Sequence, residues 1–184
     1  MKIILAIILI FAFASGISGA PVDPRKCIEV TATRDGLMNA ALWVVNSGKT
    51  ITYTQEFPQR WSGINNYVCP YVNVPPYADC SSFVTWLYWS AFGFYPDYLN
   101  GENWASGYTG TMASHGVVVP LSDAQPGDVV LYGPSFPFEH AAIYVGNNQV
   151  VNYGSNGPAK LLNIFAVRKD FNCIISYPKF FNPQ

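Results

Sequence analysis

Charge is scarce in this chain. Asp, Glu, Lys and Arg make up 11% of its 184 residues and nearly cancel, to a formal net charge of −1, where an average domain is about a quarter charged. With no basic stripe there is no electrostatic footprint for nucleic acid, and none for an anionic membrane surface. No internal repeat is visible, which excludes solenoid and tandem-module architectures. Asn-X-Ser/Thr sequences are absent, so N-glycosylation is not expected. Histidine occurs only as His115 and His140. What the chain has instead is aromatic residues, 16% of the total. Its surface must lean on Tyr, Asn, Ser and Thr, which suits neutral, sugar- or amide-rich ligands, although a compact aromatic core accounts for the same composition.

The amino end reads Met1-Lys2, an apolar run from Ile3 to Ala14, and small residues ending Ser18-Gly19-Ala20 before Pro21. This is the pattern of a secretory signal peptide over residues 1–20. The run is short for a span of about 20 residues, and no basic stop-transfer cluster follows it. We therefore expect a secreted, extracellular protein with an irregular amino-terminal arm over 21–34 and one domain over 35–184. In an oxidising compartment the four cysteines can pair. If Cys80 stays a thiol, one bridge at most forms among Cys27, Cys69 and Cys173. Cys27 with Cys69 is favoured because both fall in irregular segments, but spacing leaves the connectivity open.

Hydrophobic spacing predicts a helix over 35–45, with Gly48 as its stop. Thr50 to Thr54 reads as a short strand, and Gln55 to Ala78 as a long irregular stretch, held by a tie that Cys69 could supply. Trp61 and Tyr71 could line a groove there, though burial explains them as well. Residues 97–122 read as a loop with one short helix. Four strands follow, at 128–132, 140–145, 149–153 and 173–177, with Gly146-Asn147-Asn148 as a hairpin turn. Helices first and an antiparallel sheet after define an α+β class.

The chemistry concentrates at Asp79-Cys80-Ser81-Ser82-Phe83-Val84. Pro75-Pro76 keep the incoming chain extended, Asp79 can cap free amides, and apolar residues then recur at helical spacing to about Phe92. Cys80 stands in the first turn, where backbone N–H groups and the helix dipole favour thiolate. Such a nucleophile needs a base with an oriented ring. His115 lies in a Gly-rich loop, whereas His140 opens an apolar strand, and strands hold geometry better. Asn152, on the partner strand, can accept a hydrogen bond from His140 Nδ1–H. A regular two-residue turn at Asn147-Asn148 would put His140 and Asn152 on opposite faces, so a bulge is expected.

Asp79-Cys80-Ser81, Pro126-Gly127-Asp128-Val129-Val130, His140-Ala141-Ala142-Ile143-Tyr144-Val145-Gly146 and Val151-Asn152, in that order, resemble the NlpC/P60 family of cell-wall cysteine peptidases. The helix before Gly48-Lys49 and Tyr53 resembles the segment preceding the family's cysteine. The resemblance covers roughly 35–177. It implies a papain-like fold, Cys80 as nucleophile, His140 as base and Asn152 as its orienter, with peptidoglycan stem peptides cut between D-glutamate and diaminopimelate or lysine. It further implies that Tyr53 sits beside the cysteine, that Asp79 and Ser81 recognise the free amino end of the stem peptide, and that the Cys80 N–H stabilises the oxyanion. No cofactor or metal is required, and a monomer without nucleic-acid or membrane partners is expected. Ser82 stands where the family more often has Gly, and Asn152 where it more often has His. Papain-type proteases place the histidine much further from the cysteine, and permuted lipid acyltransferases place it before. Two other readings use the same scaffold: a secreted binding protein with idle or oxidised Cys80, and an amidase or transferase.

Overall fold

A computed structural model describes residues 26–65, 68–101 and 106–182. The proposed leader and the first part of the arm lie outside the described residues. Helix α1 runs Arg34–Ser47, capped by the Thr33 hydroxyl and closed by Gly48 in the left-handed region at φ 62°. Its buried residues Leu37, Ala40, Ala41 and Val44 follow the predicted helical face. The expected boundary between arm and domain falls at a wired residue. Arg34 bonds Asp128 at 2.8 Å, the Pro126 carbonyl at 2.9 Å and the Ser176 hydroxyl at 3.1 Å.

The stretch 55–78 is not irregular throughout. After strand β1 (Thr52–Tyr53) comes helix α2 (Phe57–Asn65), and strand β2 (Tyr77–Ala78) then pairs with β1 in parallel. Pro58 and Gly63 hide α2 in the sequence, yet each fits its place. Pro58 occupies the first turn, where an N–H has no helical partner. At Gly63 a Cβ would lie 2.1 Å from the Tyr77 carbonyl oxygen, so only glycine lets α2 meet β2. Cys69 does supply a tie, through a disulfide to Cys27.

Helix α3 (Cys80–Phe92) is buried along its whole length apart from Phe92. A helix apolar all round belongs at the centre of a core. Helix α3 packs against α1, α2 and the sheet. Trp61 packs edge-on against Trp89 at 5.9 Å between centroids, so its place is structural, while half-exposed Tyr71 packs on Trp43. Helix α4 is Thr109–His115 and strand β3 is Val117–Val119. Strands β4 (Val129–Tyr132), β5 (His140–Gly146), β6 (Gln149–Asn152), β7 (Lys160–Asn163) and β8 (Phe171–Ser176) complete one six-stranded antiparallel sheet. Its order is β3-β8-β4-β5-β6-β7. Strands β3 and β7 were not expected from the sequence. Among the described residues no helix is long and apolar enough to cross a membrane.

Candidate active site

The α3 wall of the site is built by capping. Asp79 is extended, and its Oδ1 accepts the Ser82 N–H at 2.7 Å while the Ser82 hydroxyl accepts the Asp79 N–H at 2.8 Å. This capping box gives Ser82 a role that glycine could not fill. The box fixes Cys80 at the first helical position, where its side chain is 5% exposed. Asp79 is also buried, and its Oδ2 pairs with Arg60 of α2 at 2.6 Å. Arg60 reaches the Gly107 carbonyl as well, at 3.3 Å. Gly107 takes φ +84°, and a Cβ there would lie 2.2 Å from Thr85 Oγ1. The Ser81 hydroxyl sits 3.0 Å from Asp79 Oδ1 and 3.2 Å from the Gly107 carbonyl.

The opposite wall is the β5–β6 hairpin. Asn147 and Asn148 both adopt positive φ, 52° and 56°, as a tight hairpin turn requires. Ile143 lies opposite Val151 and Tyr144 opposite Val150, but Gly146 lies opposite Gln149, so Val145 is an extra residue. This bulge is the expected irregularity. It brings the odd count between His140 and Asn152 back to one face, and the two side chains meet at 2.6 Å. The contact uses Nε2 rather than the expected Nδ1. With Asn152 Oδ1 accepting, Nε2 carries the proton and Nδ1 keeps the lone pair. The imidazole is 8% exposed, and at Gly154 a Cβ would lie 3.0 Å from its Cε1. His115 is exposed on α4, with Nδ1 at 2.7 Å from the Thr111 carbonyl oxygen.

A cleft of about 340 Å³ is lined by Arg60, Asp79, Cys80 and Ser81 together with Tyr108, Phe138 and Glu139. The backbone N–H groups of Ala141, Ser81 and Cys80 itself lie near enough to the Cys80 sulfur to favour its charged form. Among the described residues no hydrogen bond joins it to the imidazole, a contact that apo active sites often close only around substrate. Tyr53 lies close enough to feel the charges of Cys80 and Asp79. Its backbone N–H is held by Asn156, and its ring stands 6.1 Å from Tyr153.

Electrostatics corrects one expectation. Burial, and after it the Asp79 carboxylate, push the Cys80 thiol up to about 12, against the pull of the three N–H groups. The helix start does not produce a resting thiolate, because desolvation outweighs the dipole. Burial likewise lowers the His140 imidazole, and the Asn152 hydrogen bond opposes this in part. Both shifts leave the proton on sulfur and the imidazole neutral. No local signal points to Arg60, whose partner lies 19 positions away on another element.

A cysteine at the start of a buried helix, packed against an antiparallel sheet that carries a histidine and its hydrogen-bonding partner, defines an α+β protein of papain-like fold. Within that class the chain belongs to the NlpC/P60 family, whose model matches residues 57–164. It is 33% identical over 85 residues to the probable endopeptidase p60 of Listeria seeligeri, covering 46% of this chain and 14% of that protein. The chain thus spans a small part of the length of that relative. Among solved structures it is similar to the NlpC/p60 domain of the peptidoglycan hydrolase SagA. The identity is 19% and the TM-score 0.51, over 78% of this chain and 98% of that one. It is also similar to the peptidoglycan hydrolase RipB of Mycobacterium tuberculosis, with 16% identity and a TM-score of 0.50, over 78% and 66% of the two chains. At such identities the structural likeness establishes the fold.

Proposed function

We propose that the protein is a secreted cysteine endopeptidase that cuts peptidoglycan stem peptides between D-glutamate and diaminopimelate or lysine. The observation that carries this reading is the His140–Asn152 pair at 2.6 Å on a bulged hairpin, whose next residue, Ala141, has its backbone N–H near the Cys80 sulfur. Membership of the NlpC/P60 family supports the substrate class. The Cys27–Cys69 disulfide, together with the leader-like first 20 residues, supports export to an oxidising compartment.

In this reading the proton moves as the bond forms. Cys80 Sγ attacks the scissile carbonyl carbon while its proton passes to His140 Nδ1, and the carbonyl π electrons move onto oxygen. The Cys80 backbone N–H, at the helix start, stabilises that oxyanion. The imidazolium then protonates the leaving amine as the C–N bond breaks, giving a thioester that water hydrolyses with His140 again as base. Asn152 holds the ring without adding charge. Tyr53, Asp79 and Ser81 flank the amino-terminal side of the scissile bond.

The second reading is a binding protein on the same scaffold with Cys80 idle or oxidised; Cys80 is a free thiol here, and such a protein would release nothing that Cys80→Ala does not. The test is digestion of purified diaminopimelate- and lysine-type peptidoglycan by the mature protein and by Cys80→Ala, with muropeptides read by mass. We expect new amino termini at diaminopimelate or lysine from the wild type only. Identical products from the two proteins on both walls overturn the reading.

A further inference from the structure

The Asp79 carboxylate is already occupied. A carboxylate offers about four lone-pair positions, and three of them are taken: Oδ1 by Ser82 N–H at 2.7 Å and by the Ser81 hydroxyl at 3.0 Å, Oδ2 by Arg60 at 2.6 Å. The charge is matched as well, since the Arg60 and Asp79 side chains are 11% and 5% exposed and face each other in the cleft wall beside Cys80. A free ammonium brought to this point meets a neutralised carboxylate and a guanidinium of its own sign. Like charges at contact distance in a partly desolvated cleft repel strongly. A site that selects an amine by charge would leave its carboxylate unpaired.

The group left over suits a neutral amide. Within 3.2 Å of its oxygen, the Ser81 hydroxyl has Asp79 and the Gly107 carbonyl as acceptors for its single proton. Toward a ligand it therefore acts as an acceptor, which an amide N–H satisfies without bringing charge.

We infer that Arg60 is a specificity-determining residue that turns the subsite beside Cys80 from one for a free amino end into one for an acylated amino end. The protein would then act on stem peptides still joined through an amide to the rest of the wall, in preference to released peptides with a free amine. This inference rests on the proposed peptidase reading and assigns the form of its substrate.

The experiment pairs a synthetic stem peptide bearing a free amino end with the same peptide N-acetylated, and measures kcat/KM for each. Wild type is expected to favour the acetylated peptide by about threefold or more. Arg60→Gln, which keeps a hydrogen-bonding side chain but removes the charge, is expected to shift that ratio toward the free amine by about tenfold or more. Arg60→Lys keeps the charge and should hold the wild-type ratio within about threefold. A wild-type preference for the free amine, or a ratio unchanged in Arg60→Gln, overturns the inference. If wild type cleaves neither peptide, the peptidase reading is the one in trouble, and calorimetric binding of the two peptides to Cys80→Ala decides the inference separately. Tighter binding of the acetylated form supports it. Tighter binding of the free amine, or no binding of either, overturns it.

Discussion

The two walls of the cleft are held in different ways. On the α3 side the polar side chains beside Cys80 are locked to one another or to backbone: Asp79 to Arg60, Ser81 and Ser82, and Arg60 to Gly107. These groups come from α2, α3 and the chain before α4, and most are buried. On the hairpin side His140 is positioned by a backbone ladder and by one side-chain hydrogen bond, to Asn152. A wall made of buried charges cannot lose a member cheaply, because the partner is left desolvated and unpaired. A wall made of strand register keeps its shape when a side chain is trimmed. Substitutions on the hairpin should therefore cost rate with little loss of stability, and substitutions around Asp79 should cost stability first.

The largest effect expected is on rate. His140→Ala removes the proposed base and should lower kcat/KM on a stem peptide by about 10³-fold or more. Its melting temperature should stay within a few degrees of wild type, since the β5 ladder remains. A collapse of the fold in this variant would erase the distinction between the walls. Asp79→Ala is the counterpart. It strips the helix cap and leaves Arg60 buried without its partner, which should destabilise the protein by about 3–5 kcal/mol by denaturant unfolding. Asp79→Asn should recover about 1 kcal/mol of this, because Asn caps a helix as well as Asp does but cannot pair with Arg60. Equal stability of the two variants would mean that the cap contributes nothing.

The disulfide tests the same wall from further away. Cys27–Cys69 closes a loop with a sequence separation of 42, and that loop contains α1, β1 and α2. Replacing both cysteines by serine should cost about 3–4 kcal/mol, chiefly by freeing the unfolded chain. At this chain length that is roughly a 10 °C fall in Tm. The pH dependence of rate should be unaltered, because neither sulfur lies at the cleft.

The features that could be read from the sequence are those set by local rules. The cap at Asp79, the buried face of α1, the Asn147-Asn148 turn and the need for a bulge between His140 and Asn152 all follow from spacing over a few residues. Helix α2 was hidden because Pro58 and Gly63, ordinarily breakers, are tolerated for reasons that lie outside the helix: a chain end and a carbonyl of β2. Strand β7 reads Lys160-Leu161-Leu162-Asn163 without alternation and sits at the sheet edge, and β3 is a mostly exposed run of three valines at the other. The Arg60–Asp79 pair could not be seen, since it depends on where α2 docks. Nor could the state of the Cys80 thiol. Dipole and burial act on it in opposite directions, and only the folded protein shows that burial is nearly complete.

The smallest effect expected is also the most discriminating about the hairpin wall. Asn152→Ala leaves His140 in place but removes the hydrogen bond that holds its ring, so kcat/KM should fall by about 10- to 100-fold. The pH profile gives a second measure. His140 must be neutral to take the Cys80 proton, and burial holds its pKa below 6.5, so the acid limb of kcat/KM should lie below that value, with activity lost as pH falls through it. The Asn152 hydrogen bond raises the imidazole pKa against this desolvation. Removing it should move the limb to lower pH still, while the plateau drops. With the Cys80 thiol pushed up to about 12, no second limb from the sulfur is expected across the neutral range. A preformed thiolate–imidazolium pair would give the reverse pattern: a rate that depends on keeping the imidazole protonated, and that falls as pH rises. Measuring kcat/KM from pH 4 to 9 for wild type and Asn152→Ala separates the two. An acid limb that stays put in the variant would show that Asn152 does not act on the imidazole.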